Sequence, residues 1–274
     1  MLFRSIKLFE WFLKTRDPEE IIGWNKPMNN PLKDGRFKDI RINDTRLTGR
    51  TKNGVKTINR ELYEFPNDPE LLHDVKYAKN ISAKDLTTLL EFGIAHMPNR
   101  SVDLGDYNVL LIPETGSNIF FKLMQTLFDV IPGYGQGGNK KEWRPQIYHN
   151  AFKKRKWKDV EWNMELINRT SEATRNDVLK LIEKLRTKKG EEYAKLSDNV
   201  IPRYRKFIKT FMDIRSAVAA DIAGKKIIIL DDFVTDGTTR KQMRNLVIPY
   251  GPREILNLAL FYIRGQKQES DSDL

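Results

Sequence analysis

The chain has no cysteine among its 274 residues. That excludes disulfides, thiol catalysis and cysteine-ligated zinc. Its three histidines, His73, His96 and His149, are scattered and share no metal-ligand spacing. No apolar run is long enough to cross a bilayer, which takes about 20 consecutive residues. No Gly-x-x-x-x-Gly-Lys-Ser/Thr segment occurs, so a Walker-type phosphate loop is excluded. Negative charge is also scarce: 37 Asp and Glu face 48 Lys and Arg, a formal net charge of +11. A surface of that sign attracts anions, whether nucleic acid, anionic lipid or a polyphosphate substrate.

What is present is a globular composition, 39% hydrophobic, in a chain long enough for one large domain with an extension. The most informative stretch lies near the C-terminus. Lys225-Lys226 lead into the unbroken apolar run Ile227-Ile228-Ile229-Leu230, then Asp231-Asp232-Phe233-Val234, then Thr235-Asp236-Gly237-Thr238-Thr239 and a helical pattern. A buried strand thus delivers two carboxylates to its C-terminal end, and a small hydroxyl-rich loop opens a helix. In an open α/β sheet that end of a strand is where ligands bind.

Each part has a chemical reason. Two ionised carboxylates accept from the paired hydroxyls of a sugar diol. Gly237 lets a backbone approach closely, Thr235, Thr238 and Thr239 add hydroxyls, and a helix N-terminus favours a phosphate. Diol on one side and phosphate on the other describe a ribose 5-phosphate. An Asp-Asp pair before a glycine turn also ends strands and caps helices. That reading accounts for one acid and the glycine. It leaves the aliphatic run, the second acid and three threonines unexplained. A calcium loop fails, because counting from Asp232 the third position is Val234 and the twelfth is Met243.

This stretch resembles the phosphoribosyl pyrophosphate (PRPP) signature of the type I phosphoribosyltransferase family. The resemblance implies that Asp231 and Asp232 hold the ribose hydroxyls and that Thr235, Asp236, Gly237, Thr238 and Thr239 wrap the 5-phosphate. A carboxylate at Asp236 repels a phosphate unless its side chain points away. Thr235 stands where purine-salvage members carry an acidic residue, which argues against that subclass. The family further implies Mg²⁺ as cofactor, PRPP as donor, pyrophosphate release, and a nitrogenous base or amine as acceptor. Regulators on the same fold bind PRPP or nucleotides without turnover, so a non-catalytic sensing or nucleic-acid-binding protein is the alternative.

The recognisable domain starts near a capping box, Ser82-Ala-Lys-Asp85, ahead of Leu86, Leu89, Leu90 and Ile94. Tyr107 to Pro113 reads as a short buried strand. Its exit, Glu114-Thr115-Gly116-Ser117, resembles the family's pyrophosphate loop, whose N–H groups would face the leaving group. Gly133 to Gly138 formally matches Gly-x-Gly-x-x-Gly but follows a helix rather than a strand, and reads as a loop. A second strand over Gln146 to His149 leads into Lys153-Lys154-Arg155-Lys156-Trp157. By resemblance this is a mobile basic loop that closes over the substrate. The same pattern suits nucleic acid, with phosphates neutralised and a base stacked on Trp157. A solvated basic loop accounts for it as well.

Residues 170–222 read as a helical insertion, with a second capping box at Thr174-Arg-Asn-Asp177 and a further helical run from Tyr204 to Ala220. The helix after the phosphate loop runs over Thr238 to about Val247, and Ile255 to Ile263 is a final strand. The expected fold is α/β, a three-layer parallel sheet flanked by helices, type I phosphoribosyltransferase-like. Residues 1–80 form an N-terminal extension or hood, 81–264 the main domain and 265–274 a disordered tail. The amphipathic, basic segment 1–14 reads as a first helix docked on the domain. The expected setting is cytoplasmic, without membrane. A homodimer and a nucleic-acid partner stay open.

Overall fold

The computed structural model describes residues 37–42, 48–52, 54–77, 106–114 and 145–263, together with 79, 81, 82, 84, 85, 88 and 89. The expected helix over 1–14, the loop residues Thr115, Gly116 and Ser117, the Gly133–Gly138 segment and the 265–274 tail lie outside these residues.

Five parallel strands form the centre: β3 (Val55–Phe65), β11 (Glu254–Ile263), β10 (Lys226–Val234), β4 (Val109–Leu111) and β5 (Gln146–Tyr148), in that spatial order. β1 (Arg41–Ile42) and β2 (Thr48–Lys52) add antiparallel to β3. Near-continuous apolar strands are what a parallel sheet covered on both faces requires. Alternation in β10 divides its side chains between two cores. Ile228 and Leu230 pack with Leu62, Leu256 and Leu258, while Ile227 and Ile229 pack with Met243, Val247 and Phe207.

Helix α1 (Pro69–Tyr77) covers the first core with Leu71 and Val75. The second core is larger. It lies under segment 150–222, which contains β6 (Phe152–Lys154), β7 (Glu161–Trp162), α2 (Met164–Asn168), α3 (Glu172–Lys189), α4 (Leu196–Asn199), α5 (Pro202–Arg205), β8 (Ile208–Thr210), β9 (Met212–Ile214) and α6 (Ser216–Asp221). α7 (Thr238–Val247) packs Met243 and Val247 into the same core. No helix among the described residues is long and apolar enough to cross a membrane.

Three expectations change. The sheet does not begin at residue 81. β3 falls within the residues set apart as an extension, yet it pairs parallel with β11 from Lys56↔Glu254 to Phe65↔Ile263. The run from Tyr204 to Ala220 is not one helix: β8 and β9 interrupt it, pairing antiparallel with β7 and β6. The cap of α3 is Ser171, whose side chain accepts the Thr174 N–H, so Thr174 lies inside the helix. At Ser82 the forward half of the box forms. The Ser82 Oγ accepts the Asp85 N–H at 3.0 Å and donates to the Asp85 carboxylate at 2.7 Å.

Candidate active site

The strand order reverses between β4 and β10. The chain leaves β4 for β5 on one side and leaves β10 for β11 on the other. Connections that depart in opposite directions leave a crevice at the strands' C-terminal ends, where open α/β sheets bind ligands. β10 pairs with β4 only as far as Ile229↔Leu111, but with β11 through Val234↔Tyr262. Leu230 is the first residue of β10 beyond its last pairing with β4, and Asp231 and Asp232 follow it directly. Both lie inside a strand that continues to Val234, not after it as the sequence suggested.

The two acids differ in surroundings. Asp231 is buried, and its Oδ1 accepts the Asp232 N–H at 3.0 Å. Burial first, and the neighbouring Asp232 charge second, push its carboxyl up to about 8. Asp232 turns Oδ1 to the Phe233 N–H at 2.8 Å. Its Oδ2 is buried without a hydrogen-bond partner, 4.0 Å from Lys76 Nζ of α1. Strand alternation would separate neighbouring side chains, yet the two carboxyl groups interact directly and lie close together at the mouth of the crevice.

The loop that follows is short. Gly237 sits at φ 81°, in the left-handed region that glycine enters without cost, and opens α7. Thr238 carries a buried Oγ1 with no hydrogen-bond partner. Thr235 and Thr239 are half-buried beside it. The Asp236 carboxylate is held between Arg205 and the end of the loop. Its Oδ2 accepts from Arg205 Nη1 at 2.6 Å and its Oδ1 accepts the Thr238 N–H at 3.0 Å. On the other flank Arg240, in the first turn of α7, pairs with Glu61 of β3. Orphaned buried oxygens at Asp232 and Thr238 are unusual, since buried polar atoms are nearly always satisfied.

The remaining candidates do not assemble as expected. The Glu114 N–H donates to the Phe152 carbonyl at 3.1 Å, so it is not held out for a ligand. Lys153 and Lys154 lie in β6, paired with β9, rather than in an open loop. Arg155 binds Asp213 and Glu161, each at 2.6 Å. Lys156 and Lys158 share Glu191 at 2.6 Å each, and hold its carboxyl down at about 2. Trp157, read as a stacking platform, is fully buried in the second core. Charge runs look mobile in sequence, but here strand pairing and acidic partners far along the chain fix this one.

Lys76, Arg205 and Arg240 border the site and were not singled out from sequence. A signal existed for Arg205 alone: a carboxylate in a phosphate loop calls for a cation. Its position, 31 residues upstream, has no local mark. Among the described residues no three His, Asp or Glu side chains converge as a metal site. Two carboxylates with an unsatisfied oxygen suit Mg²⁺, which keeps several waters and takes one or two carboxylates plus substrate oxygens.

No protein-family model and no curated protein matches this chain. Among solved structures, a hypoxanthine phosphoribosyltransferase from Staphylococcus aureus matches with a TM-score of 0.36 and 14% identity, over 74% of this chain and 76% of that one. A likeness of that size carries no argument by itself, and the functional reading rests on the residues.

Proposed function

We propose that the crevice binds PRPP with Mg²⁺ and that the protein is a phosphoribosyltransferase, passing the phosphoribosyl group to a nitrogenous base or amine. One observation carries this reading. An acid pair just beyond the last β4 pairing runs into a left-handed glycine turn and a helix N-terminus, with buried oxygens at Asp232 and Thr238 that have no hydrogen-bond partner.

Asp231 and Asp232 accept from the ribose hydroxyls. The Thr235–Thr239 loop and the first turn of α7 receive the 5-phosphate, with Thr238 Oγ1 as donor. Bond breaking between the anomeric carbon and pyrophosphate builds positive charge on the sugar, and nearby carboxylates stabilise that charge. Asp231 and Asp232 would hold Mg²⁺, which would supply positive charge to offset the negative charge of the leaving pyrophosphate. Lys76, 4.0 Å from Asp232, brings a positive charge beside the acid pair.

Calorimetric titration of PRPP with Mg²⁺ tests the site. Wild type should bind, and the Asp231→Asn, Asp232→Asn double variant should lose binding while keeping its fold. Normal PRPP binding by the double variant means the site is misassigned. Pyrophosphate release in an acceptor screen then separates a transferase from a protein that only binds.

The excess of basic residues favours a second reading, a non-catalytic PRPP- or nucleotide-sensing or nucleic-acid-binding protein. Lys180, Lys184 and Lys188 repeat every fourth residue along α3 and are exposed. Salt-dependent nucleic-acid binding that survives loss of both aspartates, with no pyrophosphate released, would favour it.

A further inference from the structure

Asp236 is the loop residue whose side chain opposes an anion. Its carboxylate lies between the glycine turn and α5, buried to the same degree as Arg205. Three bonds fix the Arg205 guanidinium. Nη1 donates to Asp236 Oδ2 at 2.6 Å, Nε to the Val200 carbonyl at 2.9 Å, and Nη2 to the Leu196 carbonyl at 3.4 Å. Both carbonyls belong to α4 or its C-terminal cap, so the fork is aimed before any ligand arrives. The other oxygen of Asp236 takes the Thr238 N–H, the first amide of α7. Loop conformation and loop charge thus both depend on one arginine supplied by segment 150–222.

We propose that Arg205 is a positioning residue for the phosphate loop. It neutralises Asp236 and turns its carboxylate aside, and so sets the loop's affinity for a phosphate monoester. The proposal rests on the reading that this loop receives the 5-phosphate. Without Arg205 an unpaired carboxylate stays within a few residues of the phosphate in a buried, weakly screened site, where like charges repel strongly. Removing that carboxylate as well should restore affinity. A role confined to holding the fold together would show no such rescue.

Four proteins are titrated with ribose 5-phosphate, and with PRPP and Mg²⁺, at fixed ionic strength: wild type, Arg205→Met, Asp236→Asn and the double variant. Arg205→Met should weaken both ligands by about ten- to a hundredfold. The double variant should recover most of that loss. Asp236→Asn alone, which leaves the arginine's charge unopposed, should bind at least as tightly as wild type. That single variant decides the matter if Arg205→Met does not fold. A wild type that binds neither ligand overturns the PRPP reading and this proposal with it. A wild type that binds, with Arg205→Met equally tight or the double variant no better than Arg205→Met, overturns this proposal only. A loss greater than about threefold in Asp236→Asn overturns it too.

Discussion

The unit β10–α7–β11 and the segment 150–222 pack into the same core but are built on opposite terms. In the first, neighbours in sequence are neighbours in function. Strand, acids, loop and helix follow one another within 22 residues, from Lys226 to Val247, and each local signal agrees with the next. In the second, the decisive partners are far apart in the chain. Phe152 pairs with Ile214, Arg155 reaches Asp213, and Lys156 and Lys158 reach Glu191. On the proposed function the first region supplies the chemistry. The second is an ordered buttress that reaches the site through Arg205 rather than through its run of lysines.

Trp157 offers the largest effect by which to break this comparison. A fully buried indole in a shared core should make Trp157→Ala cost about 3–5 kcal/mol of stability, measured by urea unfolding. If the segment were instead a loop that stacks bases, the cost would stay small and nucleic-acid affinity would fall. That pair of results would reverse the assignment of buttress and site.

Asp231→Asn sharpens the comparison from the other side. The folded-state carboxyl is raised from 3.8 to about 8, so between those pH values the native state holds a proton that the unfolded chain releases. Stability therefore falls as pH rises through that window, the reverse of a salt-bridged aspartate. The variant should flatten that slope and gain a few kcal/mol at pH 7, while PRPP affinity drops at least about tenfold. Denaturation curves at several pH values would show it. A wild-type slope that persists in the variant means that the buried carboxyl is not its source.

The contrast explains what could be read from the amino acids. β10, α7 and β11 were legible because an aliphatic run, two acids and a glycine turn state strand, end and helix without reference to other segments. The bounds of α7, Thr238–Val247, match the expectation. The role of Asp236 was half legible: repulsion required its side chain to turn away, and the charge showed nothing of where. β6, β8 and β9, three residues each, were not legible, because strands that short carry no periodicity and their partners lie about 46 to 62 residues off. β3 was missed for a related reason. Its apolar residues Ile58, Leu62 and Phe65 follow no strict two-residue period, and β11, which pairs with it, lies almost 200 residues later.

Exposed and buried ion pairs in the two regions should also differ. Arg155 holds two acids that are each about half exposed, and water screens both contacts. Arg155→Ala should cost about 1 kcal/mol or less and leave PRPP affinity unchanged, despite sitting in the basic run that sequence marks for substrate closure. A tenfold loss of PRPP affinity at unchanged stability would return the run to the site.

The smallest effect separates two serine/threonine positions three residues apart. Ser171 lies at the N-cap of α3 and accepts the Thr174 N–H, with extended backbone at ψ 149°. Removing a side-chain cap leaves a first-turn amide to water, so Ser171→Ala should cost about 1 kcal/mol. Thr174, inside the first turn, loses a β-branched side chain of modest helix propensity, so Thr174→Ala should change stability by about 0.5 kcal/mol or less, in the favourable direction. Thermal unfolding of the two single variants decides between them. The opposite order would move the helix start to Thr174, where the capping-box pattern alone had put it. It would also show that even local signals in this segment were being read from the right residues in the wrong frame.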